Sequence, residues 1–273
     1  MTGRAACLKL VPNPAEPQMT DTAQVADALR DVPLFTQVRE GDLQRIAQAA
    51  HTRSFAKNSI IAFEDRPGEA LYVVITGQVK IVLTAEDGRE VILSTRSKGD
   101  FFGEMSLIDD QPLSANVIAM EDAELLVLHR EDFQRCLEDM PTVAFGLLRA
   151  FCKRLRQADN KISSLVLQDV PARVAGLLLD MADQNDGVHI SQQLTHHLIA
   201  QMVGSSRETV SRAMGDLMNQ GLVAVTRQTA SIPNRRKAAR AGRGAGGQEM
   251  VEVSRRTITI SNRGGLEVAA GRN

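Results

Sequence analysis

Four polar residues in the C-terminal half of the chain have the types and the spacing needed to recognise base pairs. Arg207, Glu208, Ser211 and Arg212 fall on one face of a predicted helix, close to its N-terminus. Arginine can pair with guanine through two hydrogen bonds, glutamate can accept from the cytosine amino group, and serine can contact a base or a phosphate. An ordinary helical hairpin with a solvated charged face would carry the same side chains, so the surrounding residues must decide between the two interpretations.

The residues around this face predict a helix-turn-helix. Thr195 is a suitable N-cap for a first helix, and Gly204 lies where the turn requires a positive φ. Either Ser205 or Ser206 can cap the second helix, and Ser205 stands at the capping-box spacing from Glu208. Apolar residues recur at helical spacing on the inner side of both helices: Leu198, Ile199, Met202, Val203, Val210, Ala213, Met214 and Leu217. This joint pattern favours a DNA-binding motif over a plain hairpin.

Further polar side chains near the two helix starts are placed for the phosphate backbone of DNA. They are Thr195, His197, Ser205 and Ser206. His196 and His197, with His189 nearby, also raise the question of a metal site. Neighbouring residues on a helix point in different directions, however, and no cysteine or carboxylate completes a ligand set. We therefore expect a phosphate contact or solvent at His197, and no bound metal.

The segment over residues 55–128 has a β pattern. Short apolar runs alternate with turn residues, and Asp87-Gly88 is a strong hairpin signal between two of the runs. The expected strands are 60–63, 71–75, 79–83, 91–93, 117–119 and 125–128. Many short strands in one segment predict a jelly roll, also called a double-stranded β-helix.

A long helix is predicted after the β segment, with Pro141 in its first turn. Apolar residues recur along it at alternating steps of three and four residues, which is the stripe of a coiled coil: Ala144, Leu148, Phe151, Leu155, Ala158, Ile162 and Leu165. The stripe could pack the helix against its own β segment, but its length favours a partner helix in a homodimer. A dimer would place two recognition helices about one turn of DNA apart. Asp169-Val170-Pro171 then breaks the pattern and predicts a hinge.

The C-terminal end predicts a wing with an unusual loop. Two strands over residues 221–225 and 257–260 are separated by a stretch in which residues 235–247 are all Arg, Lys, Ala or Gly, so we expect a basic flexible insertion over 227–250. From residue 227 onwards there are ten Lys or Arg and three Asp or Glu, a net charge of +7, whereas the remainder carries −8. The insertion is either a basic tether that lies along phosphates or a tolerated low-complexity segment.

A further motif lies within the β segment: Phe-Phe-Gly-Glu-Met-Ser-Leu over residues 101–107, followed by Leu113-Ser114-Ala115. Together with the helix-turn-helix, it resembles the CRP/FNR family of bacterial transcription regulators over residues 25–226 and again near 251–263. The resemblance implies a cyclic-nucleotide-binding-like β-roll, a dimer helix and a winged helix-turn-helix. It also implies an effector site, with ribose bound by the glutamate and phosphate by the serine, at Gly103, Glu104, Ser114 and Ala115.

The chain departs from the family's pattern where cyclic AMP is recognised. Leu113 stands where the family has an arginine that pairs with the ligand phosphate, and such a charge-assisted bond contributes about 1.5–3 kcal/mol. Ala158 and Asp159 replace the hydroxyl pair that contacts adenine. Cyclic AMP is therefore disfavoured, cyclic di-GMP stays open, and the motif could also be scaffolding without a ligand. Three arginines in the β segment could supply the missing charge: Arg66, Arg89 and Arg96.

These observations predict an α+β protein in four parts. The parts are a disordered tail over 1–24, a jelly-roll sensor over 25–140, a dimerisation helix over 141–168 and a winged helix-turn-helix domain over 169–273. The expected function is that of a cytoplasmic, homodimeric transcription regulator that binds double-stranded DNA. By resemblance, the half-site is close to TGTGA and RNA polymerase is the protein partner. The alternative is a nucleotide-binding signalling module in which DNA contact is secondary.

Other classes of protein are disfavoured. No nucleophile–base pair, metal set or glycine-rich phosphate loop stands out, so we do not expect an enzyme. Cys7, Cys136 and Cys152 are far apart and form no Cys-x-x-Cys motif, which favours free thiols in a reducing cytoplasm. No apolar run approaches transmembrane length and no signal peptide is evident, so no membrane contact is expected.

Overall fold

Two helices open the described part of the chain. The computed structural model describes residues 22–190, 194–233 and 250–272. Helix α1 (Thr22–Arg30) is followed by α2 (Glu40–Ala49). The prediction of a disordered tail over residues 1–24 is therefore wrong for its last three residues, and the rest of that tail lies outside the described residues. The helix starts early because its apolar face packs into the core through Val25, Ala26 and Leu29.

A β-roll follows these helices, and its strands run antiparallel. Within residues 51–129 the strands are β1 (His51–Phe55), β2 (Ile60–Ala62), β3 (Ala70–Thr76), β4 (Val79–Thr84), β5 (Glu90–Arg96), β6 (Phe101–Phe102), β7 (Asn116–Ala119) and β8 (Ala123–His129). They form two four-stranded sheets, in the orders β1-β8-β3-β6 and β2-β7-β4-β5. The α+β fold class with a β-rich N-terminal domain is thereby confirmed.

Two layers of apolar side chains hold the roll together. Between the sheets lies one cluster, which contains Phe55, Ala62, Val74, Val79, Phe102, Val117, Ala119, Ala123 and Leu125. The first sheet also packs against helices through Leu71, Val73 and Leu126. The β4–β5 hairpin forms at the predicted turn, where Gly88 has a φ of +83° and Asp87 accepts the backbone N–H of Arg89 at 3.0 Å.

Three helices complete this part of the fold. They are α3 (Glu104–Asp109), α4 (Arg130–Asp139) and α5 (Pro141–Leu167). Val143 and Leu147 on α5 are buried in the cluster under the first sheet, and Phe151 packs against the same cluster. The chain divides into two units within α5, the first ending at Asp159 and the second beginning at Asn160.

The second unit combines four short helices after α5 with a small sheet, among the described residues. Its elements are α6 (Val170–Asp183), β9 (His189–Ile190), α7 (His196–Val203), α8 (Arg207–Asn219), β10 (Val223–Pro233), β11 (Met250–Ile260) and α9 (Arg263–Ala269). The side chain of Asp169 caps α6 by accepting the N–H of Ala172 at 2.9 Å, with Pro171 in the first turn. The three strands form one sheet in the order β10-β11-β9. A shared core of apolar residues packs the helices against this sheet.

The wing strands extend further than the sequence predicts. Strands β10 and β11 pair continuously from Val223↔Ile260 to Pro233↔Met250. The predicted flexible insertion over 227–250 is therefore wrong for residues 227–233 and for residue 250, whose backbone continues the ladder. The reason is that an antiparallel partner satisfies backbone hydrogen bonds even where the residue types carry little apolar signal. Residues 235–247, on which the tether hypothesis depends, lie outside the described residues.

Two further observations concern membrane-spanning helices and cysteines. None of the described helices is long and apolar enough to cross a lipid bilayer. Cys136 is a buried free thiol and Cys152 an exposed one, whereas Cys7 lies outside the described residues.

Candidate functional site

The two helices of the predicted DNA-binding motif are capped by hydroxyl side chains. Thr195 Oγ1 accepts the N–H of Leu198 at 3.1 Å and caps α7, as predicted. Gly204 ends α7 with a φ of +66°, in the left-handed conformation predicted for the turn. The alternative caps of α8 resolve in favour of Ser206, whose Oγ accepts the N–H of Thr209 at 3.1 Å.

The capping box expected between Ser205 and Glu208 does not form. The backbone N–H of Ser205 instead donates to the carbonyl of Ala200 at 3.0 Å, which closes the end of α7. A capping box between Ser205 and Glu208 requires Ser205 to be the N-cap of α8. The N-cap is Ser206, one residue later. A cap at Ser206 has Thr209 as its third residue, and the two hydroxyls lie 3.0 Å apart.

The four predicted base-reading residues lie together on the outer face of α8. Arg207, Glu208, Ser211 and Arg212 are all exposed, whereas the opposite stripe is buried: Val210, Ala213, Met214 and Leu217. Among the described residues, neither arginine has a carboxylate within ion-pair distance. Hydrogen bonds from its own backbone N–H and from the Ser206 hydroxyl lower the pKa of Glu208, so this side chain is an ionised acceptor at neutral pH. The face thus presents two free guanidinium donors and one acceptor.

The predicted phosphate contacts lie at the starts of the same two helices. Thr195, His197 and Ser206 are exposed, and Ser205 is half-buried. A cap hydroxyl accepts through its oxygen and has one hydrogen left to donate, which Ser206 directs to Glu208. The N-terminal ends of α7 and α8 also carry partial positive charge, which attracts anions. His189, which entered the metal hypothesis, has its Nδ1 2.6 Å from a carboxylate oxygen of Asp186, and no cluster suited to a metal ion occurs among the described residues.

The motif over residues 101–107 forms a tightly held turn in the first unit. Gly103 caps α3 with a φ of +91°, and a Cβ there would lie 2.6 Å from the carbonyl oxygen of Ala70. Only glycine fits such a position. Ser106 Oγ accepts the N–H of Gly68 at 2.9 Å. Arg130 donates to the carbonyls of Gly68 and Ser106, both at 2.9 Å, and so fixes α3 against the loop before β3.

Glu104 is buried and already has a cation beside it. Its side chain is 3% exposed and pairs with the Arg154 guanidinium from α5. Arg154 also donates to the carbonyl of Phe101 at 2.6 Å and lies 4.4 Å above the Phe101 ring. Only one carboxylate oxygen of Glu104 is satisfied, because Oε2 is buried without a hydrogen-bond partner. The carboxylate expected at ribose therefore retains one free acceptor.

The other two predicted effector residues lie on the segment before β7. Ser114 is exposed and Ala115 is buried. Leu113 packs against the cluster between the sheets, and its N–H donates to the Arg66 carbonyl at 2.8 Å. The position that carries the phosphate-binding arginine in the family thus contributes to the apolar core here.

The sequence prediction missed the roles of Arg130 and Arg154. The role of Arg154 could have been inferred from its position on the buried side of α5. This side contains Val143, Leu147 and Ala150 at helical spacing, and residue 154 follows one turn later. A charged residue that continues a buried stripe requires a buried partner. Sequence alone does not identify that partner, which lies 50 residues away.

The predicted dimer stripe on α5 is mostly exposed. Large apolar side chains along it are exposed at Leu148, Leu155, Ile162 and Leu165, and Ala158 is exposed as well. Phe151 is half-buried and packs against the cluster under the first sheet. For this one residue, the structure matches the alternative in which the stripe packs on the chain's own β segment.

Comparison with known proteins gives two family matches and, among others, two relatives. Residues 52–140 match the cyclic nucleotide-binding domain, and residues 172–239 match the Crp-like helix-turn-helix domain. The chain is 30% identical over 215 residues to the CRP-like cAMP-activated global transcriptional regulator of Mycobacterium tuberculosis, covering 77% of this chain and 96% of that protein. It is 35% identical over 195 residues to the cyclic AMP receptor protein of Thermus thermophilus, covering 71% of this chain and 89% of the relative.

A solved structure is similar as well. The c-di-GMP responsive global regulator CLP of Xanthomonas campestris superposes with a TM-score of 0.62 at 26% identity, covering 68% of this chain and 95% of that one.

Proposed function

Because the chain belongs to the CRP/FNR family of transcription regulators, we propose that it binds a palindromic operator as a homodimer, with half-sites close to TGTGA. Each protomer inserts α8 into a major groove, where Arg207, Glu208 and Arg212 contact base edges and Ser211 assists. The phosphate backbone is held by Thr195, His197, Ser205 and Ser206. RNA polymerase is the protein partner, and the protein acts in the cytoplasm.

One observation carries this proposal: two exposed arginines on α8 have no carboxylate within ion-pair distance among the described residues. Arg207 and Arg212 offer guanidinium donors on a helix whose rotation is fixed by four buried apolar residues on its other side. A rigid helix fixes the backbone positions of these donors before DNA arrives, so the backbone need not become ordered on binding.

The exposed stripe on α5 supports the homodimer. Leu155 is 64% exposed, and three further large apolar side chains in the stripe are similarly open to water. A heptad stripe of this kind is stabilised when a second helix covers it. The proposed pairing also brings two copies of α8 to the two halves of a palindrome.

We further propose that the β-roll binds a nucleotide effector. Two of the relatives are named for cyclic AMP and one for c-di-GMP, which supports a nucleotide without choosing among nucleotides. The buried Glu104 with one free acceptor oxygen supports a ligand with hydroxyl donors.

The test is binding of the full chain to a labelled duplex with two inverted TGTGA half-sites centred about 10 base pairs apart. We expect two protomers per duplex and an affinity at least about 10³-fold higher than for a scrambled duplex at the same salt concentration. The variant Asn219→Ala, at the far end of α8, is a matched control that should bind normally. Equal affinity for both duplexes, or one protomer per duplex, would contradict the proposal.

A further inference from the structure

Arg96 is a half-buried arginine with an unused donor. It is the last residue of β5 and lies directly opposite Val79, which is fully buried, so the two share the inward face of the sheet. Its Nη1 donates to the carbonyl of Thr95 at 2.9 Å. Its Nε is buried and has no hydrogen-bond partner. A buried donor without an acceptor is unfavourable, so this position favours a molecule that supplies one.

The charge of Arg96 is also uncompensated at close range. Among the described residues, no carboxylate lies within ion-pair distance of Arg96. Glu104 pairs with Arg154, and Asp100 accepts the N–H of Ser97 at 2.9 Å. Burial lowers the pKa of Arg96 and the nearby Arg154 charge lowers it further, against the opposing effects of Asp100 and Glu104. The surroundings of Arg96 therefore disfavour its positive charge, and an anion bound beside it would offset this effect.

The same cluster holds an unused acceptor. Glu104 Oε2 is buried without a partner, and the Glu104 carboxylate is one of the charges that act on the pKa of Arg96. An unmet donor and an unmet acceptor together match a ligand that brings both an anionic oxygen and a hydroxyl group. A cyclic nucleotide carries both, in its phosphodiester and its sugar.

We propose that Arg96 binds the phosphate of the nucleotide effector and thereby replaces the arginine that is missing at Leu113. Glu104 accepts from a sugar hydroxyl through Oε2, and Arg154 is a positioning residue that holds the carboxylate. The inference rests on the proposed nucleotide effector, but not on DNA binding.

The test uses calorimetric titration of the full chain with cyclic AMP, cyclic GMP and cyclic di-GMP, and with adenosine and guanosine as matched ligands without phosphate. The variant Arg96→Met keeps most of the side-chain stem and removes the charge. We expect it to weaken binding of the preferred nucleotide about 10- to 100-fold and to leave nucleoside binding unchanged. Arg96→Lys should retain part of the preference for the phosphorylated ligand, which a merely structural role would not explain.

A matched control is Arg89→Met, on the same hairpin, because Arg89 is exposed and already paired with Asp87. This variant should bind the nucleotide like the wild type. Unchanged nucleotide affinity in both Arg96 variants would overturn the inference, and so would an equal loss for nucleotide and nucleoside. Binding of none of the three nucleotides by the wild type would also overturn it. Operator binding that persists in that case would leave the proposed DNA-binding function intact.

Discussion

Replacing Arg154 with methionine should destabilise the first unit by about 3 kcal/mol, because it leaves the Glu104 carboxylate buried without its cation. Removal of one partner from a buried ion pair typically costs about 3–5 kcal/mol. We expect the lower end of this range, because the Arg154 side chain is itself 23% exposed and Arg96 is a second cation nearby. The loss includes the hydrogen bond to the Phe101 carbonyl.

The chain contains its own probe for this measurement. It has no tryptophan and one tyrosine, Tyr72 on β3, whose ring stacks on Phe102 with centroids 5.0 Å apart. Tyrosine fluorescence during urea unfolding of the full chain therefore reports on the first unit alone, which matters because a chain of two units need not unfold in one step. The free energy of unfolding is compared between the wild type and Arg154→Met.

Two further variants make the measurement decisive. Adding Glu104→Gln to Arg154→Met removes the unpaired negative charge of the Glu104 carboxylate. The double variant should recover at least half of the lost stability. Arg149→Met, at an exposed position on the same helix, should change the free energy of unfolding by less than about 0.5 kcal/mol. A cost below about 1 kcal/mol for Arg154→Met, or a double variant no more stable than the single one, would refute the assignment of a buried ion pair.

Four other predictions concern DNA, assembly and backbone. Arg207→Ala should cost about 1–3 kcal/mol of operator binding and relax the preference at one guanine, as measured with a panel of single-base operator variants. Leu155→Glu should shift the protein to monomers in analytical ultracentrifugation, because two carboxylates would face each other in the proposed coiled coil. Gly103→Ala should lower the stability of the β-roll by about 1–3 kcal/mol in the tyrosine-detected assay, since its φ is +91° and a carbonyl oxygen blocks a Cβ. Deleting residues 235–247, which contain five Lys or Arg, should flatten the salt dependence of operator binding.

Each of these predictions has a result that would contradict it. An equal loss of Arg207→Ala on specific and random DNA would make that residue a phosphate contact. Gln157→Glu, exposed on the same helix and outside the apolar stripe, should leave the sedimentation of the protein unchanged, and a dimer that survives Leu155→Glu would remove the stripe from the interface. A stable Gly103→Ala protein would mean that the turn can relax. An unchanged salt slope after the deletion would favour the tolerated low-complexity segment over the tether.

The helix-turn-helix could be predicted closely because its signals are local. The caps, the glycine in the turn and the apolar period all lie within about two dozen residues, and Thr195, Gly204 and Val210 have the conformations or burial that their types predict. The cap of α8 stayed open between Ser205 and Ser206, because the two adjacent residues have the same cap chemistry. The choice depends on the backbone hydrogen bond from Ser205 to Ala200, which no side-chain pattern encodes.

The candidate effector site could be predicted only in part because its contacts are long-range. Glu104 and Arg154 are 50 residues apart, and only the roll and the helix beside it bring them together. Strand β1 was missed for a related reason: its sequence, His-Thr-Arg-Ser-Phe, buries only Thr52 and Phe55, so it has no apolar run. Pairing with β8 decides its conformation.

Arg154 and Leu155 are neighbours on α5, and one is paired inside the β-roll while the other belongs to the proposed dimer stripe. A helix moves its backbone as a unit over such a short distance, so a ligand that alters the Glu104–Arg154 pair also biases the position of the stripe. Linkage is reciprocal: if the effector changes the dimerisation constant by some factor, dimerisation changes effector affinity by the same factor. The concentration of the protein would then set its own sensitivity to the effector, so a cell could retune the response by expression level alone.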